Sequence, residues 1–237
     1  MYFLVLALAG LSASAEFESI AHELESARTE YRLDSARAAL EKARGLSRVD
    51  SSPEAARLHV EAALLVGELN RIEWEQLPES NIAQRRPLGA AIDTAAEEAI
   101  ALLGRLPENS ERYRLHADLL GLMIRSDFRA KKYRKTMEEY SAKAVELDPD
   151  NPNAYVTQAK PFIFAAENEG GDPERAVELL SKALELNPRH EPARCLRGLA
   201  YQRSGKPDRA RADWEAALAT NPRCWPAARE LEKMKRN

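Results

Sequence analysis

One short unit is written twice in this chain. Gly171-Asp172-Pro173-Glu174-Arg175-Ala176 returns 34 residues later as Gly205-Lys206-Pro207-Asp208-Arg209-Ala210. The same offset carries Leu180 to Trp214, Ala183 to Ala217, and Asn187-Pro188 to Asn221-Pro222. A fixed period of this size marks a solenoid of helical hairpins, in which each unit buries its apolar face against the next. Ala176, Leu180 and Ala183, like Ala210, Trp214 and Ala217, fall at i, i+4 and i+7. Each trio is therefore one helical stripe, a large residue between two small ones that let a neighbouring helix approach. Gly171 and Gly205 are expected to end the preceding helix in a left-handed conformation, and Pro173 and Pro207 to occupy the first turn of the next. Pro188 and Pro222 close the two units.

Gly198 and Tyr201 occupy the corresponding stripe of the helix before the second turn. Gly198, Tyr201, Ala210, Trp214, Ala217 and Pro222 together resemble the tetratricopeptide repeat. The resemblance implies an all-α, right-handed α-solenoid of five helical hairpins, at 16–47, 53–106, 108–148, 150–187 and 189–221, with a capping helix at 223–236. It is clearest over 149–222 and fades upstream, where Phe17, Ile20, Leu24 and Ala27 precede the stripe Ala36, Leu40, Ala43. In the second hairpin one helix is expected from Ala55 to about Gln76 and another from Pro87 to Leu106, carrying Ala95, Ala99 and Leu102. The third unit is eight residues longer than the 34-residue period, and each of its helices is expected to gain a turn. The fourth is five longer, with the excess between Phe162 and Gly171. Pro161 removes a hydrogen bond to Thr157 and is expected to kink or break its helix. Trp225, Ala228 and Leu231 line one face of the last helix, as a solenoid cap requires.

The composition agrees with helix pairs. Of 237 residues, 44% are hydrophobic but only 6% aromatic, which suits a core of Ala and Leu rather than packed sheets. Charged residues make up 31%, yet the net charge is −3, so no long-range field selects nucleic acid or an anionic membrane. The N-terminus is of another kind. Phe3 to Leu11 form an apolar run too short to span a bilayer, and Ala13-Ser14-Ala15 precede Glu16. That pattern reads as a secretory signal over 1–15 cleaved after Ala15, leaving a single solenoid domain over 16–237 in a periplasmic or secreted protein with no stable membrane insertion.

Several constellations invite a chemical reading and do not sustain it. His22, His59, His116 and His190 lie in different hairpins without a second ligand at metal spacing, so each reads as a solvated or hydrogen-bonded histidine and no metal or cofactor is expected. Arg125, Arg129, Lys131, Lys132, Arg134 and Lys135 form a basic run, but at helical spacing they spread around an outer face, with Phe128 and Tyr133 turned inward. Ser204-Gly205-Lys206 lacks the glycine and hydroxyl of a phosphate loop. Nothing legible marks an enzyme. Cys195 and Cys224 are an even pair, one hairpin apart on the same expected inner surface, and an exported chain permits a disulfide between them.

Function is implied by the resemblance. In tetratricopeptide proteins the first helix of each hairpin lines a concave groove that holds an extended peptide or a partner's helix. Those positions here are Arg114, Asp118, Val156, Lys160, Phe164, Cys195, Leu199 and Arg203, with Arg229 and Lys233 on the cap. Relatives that clamp a terminal carboxylate pair Lys with Asn at matching sites; Arg114/Asp118, Val156/Lys160 and Cys195/Leu199 lack that Asn. The implied function is a non-catalytic protein- or peptide-binding scaffold of the bacterial envelope. The alternative is a solute-binding accessory of an envelope transport system, with Pro161 to Phe164 lining an apolar pocket. Export is checked by N-terminal sequencing of the protein recovered from a periplasmic extract: the expected first residue is Glu16, and an intact Met1 in the cytosol would refute the leader.

Overall fold

The computed structural model describes the backbone of residues 2–236 and the side chains of 15–166 and 168–236. Met1 and the side chains of 2–14, which carry the expected leader, lie outside the described residues. The described residues form helices and no strand. They are α1 (Tyr2–Glu30), α2 (Leu33–Val49), α3 (Pro53–Gln76), α4 (Ile82–Leu102), α5 (Ser110–Met123), α6 (Asp127–Leu147), α7 (Pro152–Phe164), α8 (Pro173–Leu186), α9 (Glu191–Arg203), α10 (Pro207–Thr220) and α11 (Trp225–Arg236). The chain separates into two compact units, Met1–Pro107 and Glu108–Asn237.

Local chemistry sets the helix starts. Ser52, Asn81, Asn109, Ser126, Asn151 and Asp172 each precede a helix and accept a hydrogen bond from a backbone N–H in its first turn, satisfying one of the orphan donors there. Pro53, Pro152, Pro173 and Pro207 each follow in the first turn, where the missing N–H costs nothing. His190 caps α9 through Nδ1, which accepts from Ala193 N at 3.2 Å.

In the first unit α2 packs on both α1 and α3, and α3 packs on α4. Ile20, Leu24 and Ala27 of α1, Ala36, Leu40 and Ala43 of α2, and Ala95 and Ala99 of α4 are buried, so the small-residue stripes face inward as the periodicity predicts. The second helix of this hairpin begins earlier than expected: Asn81 caps it, and Pro87 lies inside it. A 3-10 turn at Leu103–Arg105 replaces the last residues expected to be α-helical.

In the second unit, neighbouring helices from α5 to α11 pack in sequence, and the first helices of successive hairpins also meet, α5 on α7 and α7 on α9. Ala176, Leu180, Ala183, Ala210 and Ala217 are wholly buried. The insertions fall unevenly. Relative to α9 and α10, of 13 and 14 residues, α5 has 14 and α6 has 21, so the third hairpin places nearly all of its excess in one helix rather than a turn in each. Phe128, expected inward, lies on this extension and is 78% exposed. In the fourth hairpin α7 keeps 13 residues and α8 14, so the five-residue excess sits in the connection after Phe164. Pro161 does not stop α7, which continues to Phe164.

The glycines differ in purpose. Gly205 has φ of 70°, the left-handed turn expected of it, whereas in the longer connection that conformation falls to Gly170 at 91°. Gly171 is needed for proximity: a Cβ there would lie 2.4 Å from the carbonyl oxygen of Ala165. Gly198 faces the Trp214 indole, and a Cβ would meet its Nε1 at 2.4 Å. Trp214 is 1% exposed and donates from Nε1 to the Cys195 carbonyl at 3.1 Å, so the ring cannot move aside without breaking that bond. Gly198→Ala is expected to destabilise the chain by about 1–3 kcal/mol through overpacking. Urea unfolding followed by circular dichroism checks it; an unchanged midpoint would refute the tight contact.

Candidate functional site

The face implied for binding begins at the junction of α5 and α7. Arg114 and Asp118, four residues apart on α5, share a helix face with reach across to α7. Asp118 is 5% exposed. Its Oδ2 accepts from Arg114 Nη1 at 2.8 Å and from Thr157 Oγ1 at 3.0 Å, while Oδ1 accepts from Lys160 Nζ at 2.6 Å. Arg114 also holds Glu111, its Nε donating to Oε2 at 2.9 Å. Burial alone would raise the Asp118 pKa, but Lys160 and Arg114 outweigh it and hold the carboxyl below its ordinary value of 3.8. Two cations and two carboxylates are thus spent on one another. Asp118 is a buried fastener between two hairpins rather than a groove-lining residue, because nothing of its carboxylate is left for a ligand.

Val156, expected on the same face, is likewise buried. It is 6% exposed and belongs to the core with Ala159, Ile163, Leu180 and Ala183, since its side of α7 meets α8 more closely than the helical wheel conveys. Leu199 is half-buried against that core and against the next, formed by Ala210, Trp214, Ala217, Cys224 and Ala227. Phe164 is the apolar member left open, at 58% exposure. Beside it, Arg203 Nη1 donates to the carbonyls of Ile163 and Ala165, the residues on either side of Phe164, and so neutralises the C-terminal end of α7. On the cap, the Arg229 guanidinium lies 5.2 Å from the Trp225 ring centroid, and Lys233 Nζ pairs with Glu230 Oε1 at 2.6 Å.

Cys195 and Cys224 do come together, with Sγ atoms 3.1 Å apart, as thiols. The Cys195 thiol is pushed far up by the neighbouring Cys224, by burial and by Glu191. Glu191, one turn before Cys195, belongs to no local motif that would single it out. Its carboxylate lies with the two sulfurs inside a 4.8 Å group of donor atoms and accepts from Asn221 Nδ2 at 2.8 Å.

Other polar clusters escaped the sequence. In the first unit Glu98 accepts from Arg44 Nε at 2.7 Å and meets His59 Nε2 at 2.6 Å; burial pushes the His59 imidazole below its ordinary pKa. In the second, Arg197 grips Asp213 through two 2.7 Å bonds and donates to Ser181 Oγ at 3.1 Å. His190 Nε2 meets Asn153 Oδ1 at 2.9 Å. The partners lie 16 to 54 residues apart, beyond any local motif.

Folding depresses the Asp118 pKa, so its contribution is complete above the unfolded value and is lost as pH falls through the lower folded one. Stability is expected to fall below about pH 4. Asp118→Asn is expected to weaken that acid sensitivity and to cost about 3 kcal/mol at neutral pH, because it removes the buried charge that Arg114 and Lys160 both meet. Denaturant titrations at pH 7 and pH 3 check both; an unchanged stability at pH 7 would refute the fastener.

Among the described residues no helix is long and apolar enough to cross a membrane. Residues 168–234 match the tetratricopeptide-repeat family model. No curated protein sequence matches the chain. Similar solved structures include TTC0263, a thermophilic tetratricopeptide-repeat protein of Thermus thermophilus, at 16% identity over 90% of this chain and 97% of that one, with a TM-score of 0.59. Another is YrrB, described as a tetratricopeptide-repeat protein with an unusual peptide-binding site, at 16% identity over 93% and 99% of the two chains, with a TM-score of 0.43. At such identity the likeness is one of fold. Residues 168–234 are thus similar to the tetratricopeptide repeat, and the helical hairpins around them share the fold of proteins built from it.

Proposed function

We propose that this chain is a non-catalytic scaffold that binds a protein or peptide on the first-helix face of its second unit, and that it does so in the bacterial envelope after export. The observation that carries the binding reading is the match of residues 168–234 to the tetratricopeptide repeat, in a second unit whose first helices α5, α7 and α9 pack in succession and so can build one interaction surface. The internal use of the charged groups favours binding over catalysis. Asp118, Glu98 and Asp213 are each saturated by arginine or lysine, which leaves them as fasteners. Export is supported by the short apolar run Phe3 to Leu11 ahead of Ala13-Ser14-Ala15.

Phe164 is the natural apolar anchor of this surface, since a large exposed ring beside a fixed guanidinium gains more on burial than the polar residues around it. Arg229 and Lys233 supply positive charge on the cap. The occupant this surface suits is a segment with an apolar side chain and an acidic end.

The test uses residues 16–237 as bait in affinity selection from an envelope extract, followed by binding measurements with the recovered partner. Phe164→Ala is expected to weaken binding at least about tenfold, equivalent to 1.4 kcal/mol, with an unchanged melting temperature. Changing Arg229 and Lys233 together to Glu is expected to abolish it, and the wild-type affinity to fall steeply as salt shortens the screening length to about 8 Å. An affinity untouched by both variants would remove this face as the site.

A further inference from the structure

The two cysteines are placed by elements with independent reasons to be where they are. Cys195 sits on α9, where its carbonyl accepts from the buried Trp214 indole. Cys224 is wholly buried immediately before α11; its N–H donates to the Asn221 carbonyl at 2.9 Å and its own carbonyl accepts from Ala228 at 3.1 Å. The sulfurs, 3.1 Å apart, are closer than two unbonded sulfur atoms rest. A disulfide needs a separation of about 2.05 Å, a closure of roughly 1 Å that side-chain rotation can supply.

Helix α11 has need of a fastening. Its 12 residues are too few to hold a helix alone, and among its described side chains only Ala227 is buried, with Leu231 and Met234 half-covered. We propose that Cys195 and Cys224 form a reversible disulfide that ties the start of α11 to α9, a redox latch on the last helix of the array.

The reaction is thiol–disulfide exchange with a small disulfide or a disulfide-donating oxidoreductase. Cys195, half-buried, is the sulfur such a donor reaches. It loses its proton to solvent and attacks the donor disulfide, forming a mixed disulfide and releasing one donor thiol. Cys224 then loses its proton and attacks the Cys195 sulfur, releasing the second donor thiol. Two protein thiols are oxidised and one donor disulfide is reduced to two thiols. The raised pKa of Cys195 keeps the thiolate scarce, so the uncatalysed exchange is slow. Glu191 beside the sulfurs offers a rival arrangement, a thiophilic divalent cation on Glu191, Cys195 and Cys224. That arrangement would hold the sulfurs apart around the metal, where the latch closes them.

The test treats the reduced, purified chain with oxidised glutathione and reads it by intact mass and by tryptic digestion without reductant. The expected result is the loss of two hydrogens, a peptide pair linked through Cys195 and Cys224, a higher melting temperature, and slower tryptic cleavage after Lys233 and Lys235, all reversed by dithiothreitol. Cys195→Ser and Cys224→Ser are each expected to show no oxidation-dependent shift in melting. Because oxidised and reduced wild-type protein are compared directly, a variant that folds poorly leaves the test intact. A persistent glutathione adduct on Cys195 with Cys224 still reduced would overturn the proposal. Stoichiometric binding of added zinc that protects both thiols from oxidation would overturn it too.

Discussion

The contact between Gly198 and Trp214 sets the spacing of the last full hairpin. An indole packed this close to a backbone requires a residue without a Cβ opposite it, and the ring is pinned by its bond to the Cys195 carbonyl. With α9 and α10 held this close, Ala210 and Ala217 disappear completely from solvent on either side of the ring. Cys224 and Ala227 then pack on the same cluster. The seating of the cap is therefore downstream of one glycine. In the preceding hairpin Leu180 takes the place of the tryptophan between Ala176 and Ala183, a smaller plug in the same frame.

The helices are further stitched by buried and half-buried carboxylates. Glu98 of α4 reaches Arg44 of α2 and His59 of α3; Asp118 of α5 gathers Lys160 and Thr157 of α7; Asp213 of α10 takes Arg197 of α9. Desolvation takes back much of what such pairs gain, so their net stabilisation is small. Their geometry is demanding, however: alanine faces slide past one another readily, and a carboxylate that must meet two or three donors fixes which turn of one helix opposes which turn of the next.

The hairpins were legible because repetition exposes them. A stripe of Ala, Leu and Ala at one spacing, repeated at one offset, leaves few other folds, and the buried stripes of α8 and α10 follow from it. Depth was not legible. A helical wheel assigns Val156 and Asp118 to a face but does not say how far the neighbouring helix overlaps that face, and both prove buried. Nor could spacing say which helix absorbs an insertion, or that Phe128 would end exposed to solvent. The pairing of His59 with Glu98, and of the two cysteines with Glu191, depends on three-dimensional neighbourhood alone.

The lengthening of α6 obeys an arithmetic of its own. Its seven residues beyond the length of α10 complete almost two turns at 3.6 residues each, so the rotation they add falls only about 20° short of closing. Ala130 and Met137, seven apart, are both buried, and the inward line continues through Ser141 and Ala144. An insertion of five residues in the same helix would have swung everything before it to the far side. The five extra residues of the fourth hairpin lie in a connection, where angular phase has no meaning. Length changes in such a chain are thus quantised within helices and free between them, and a homologous chain lengthened within a helix by other than a near-whole number of turns would have to rebuild the neighbour it packs against.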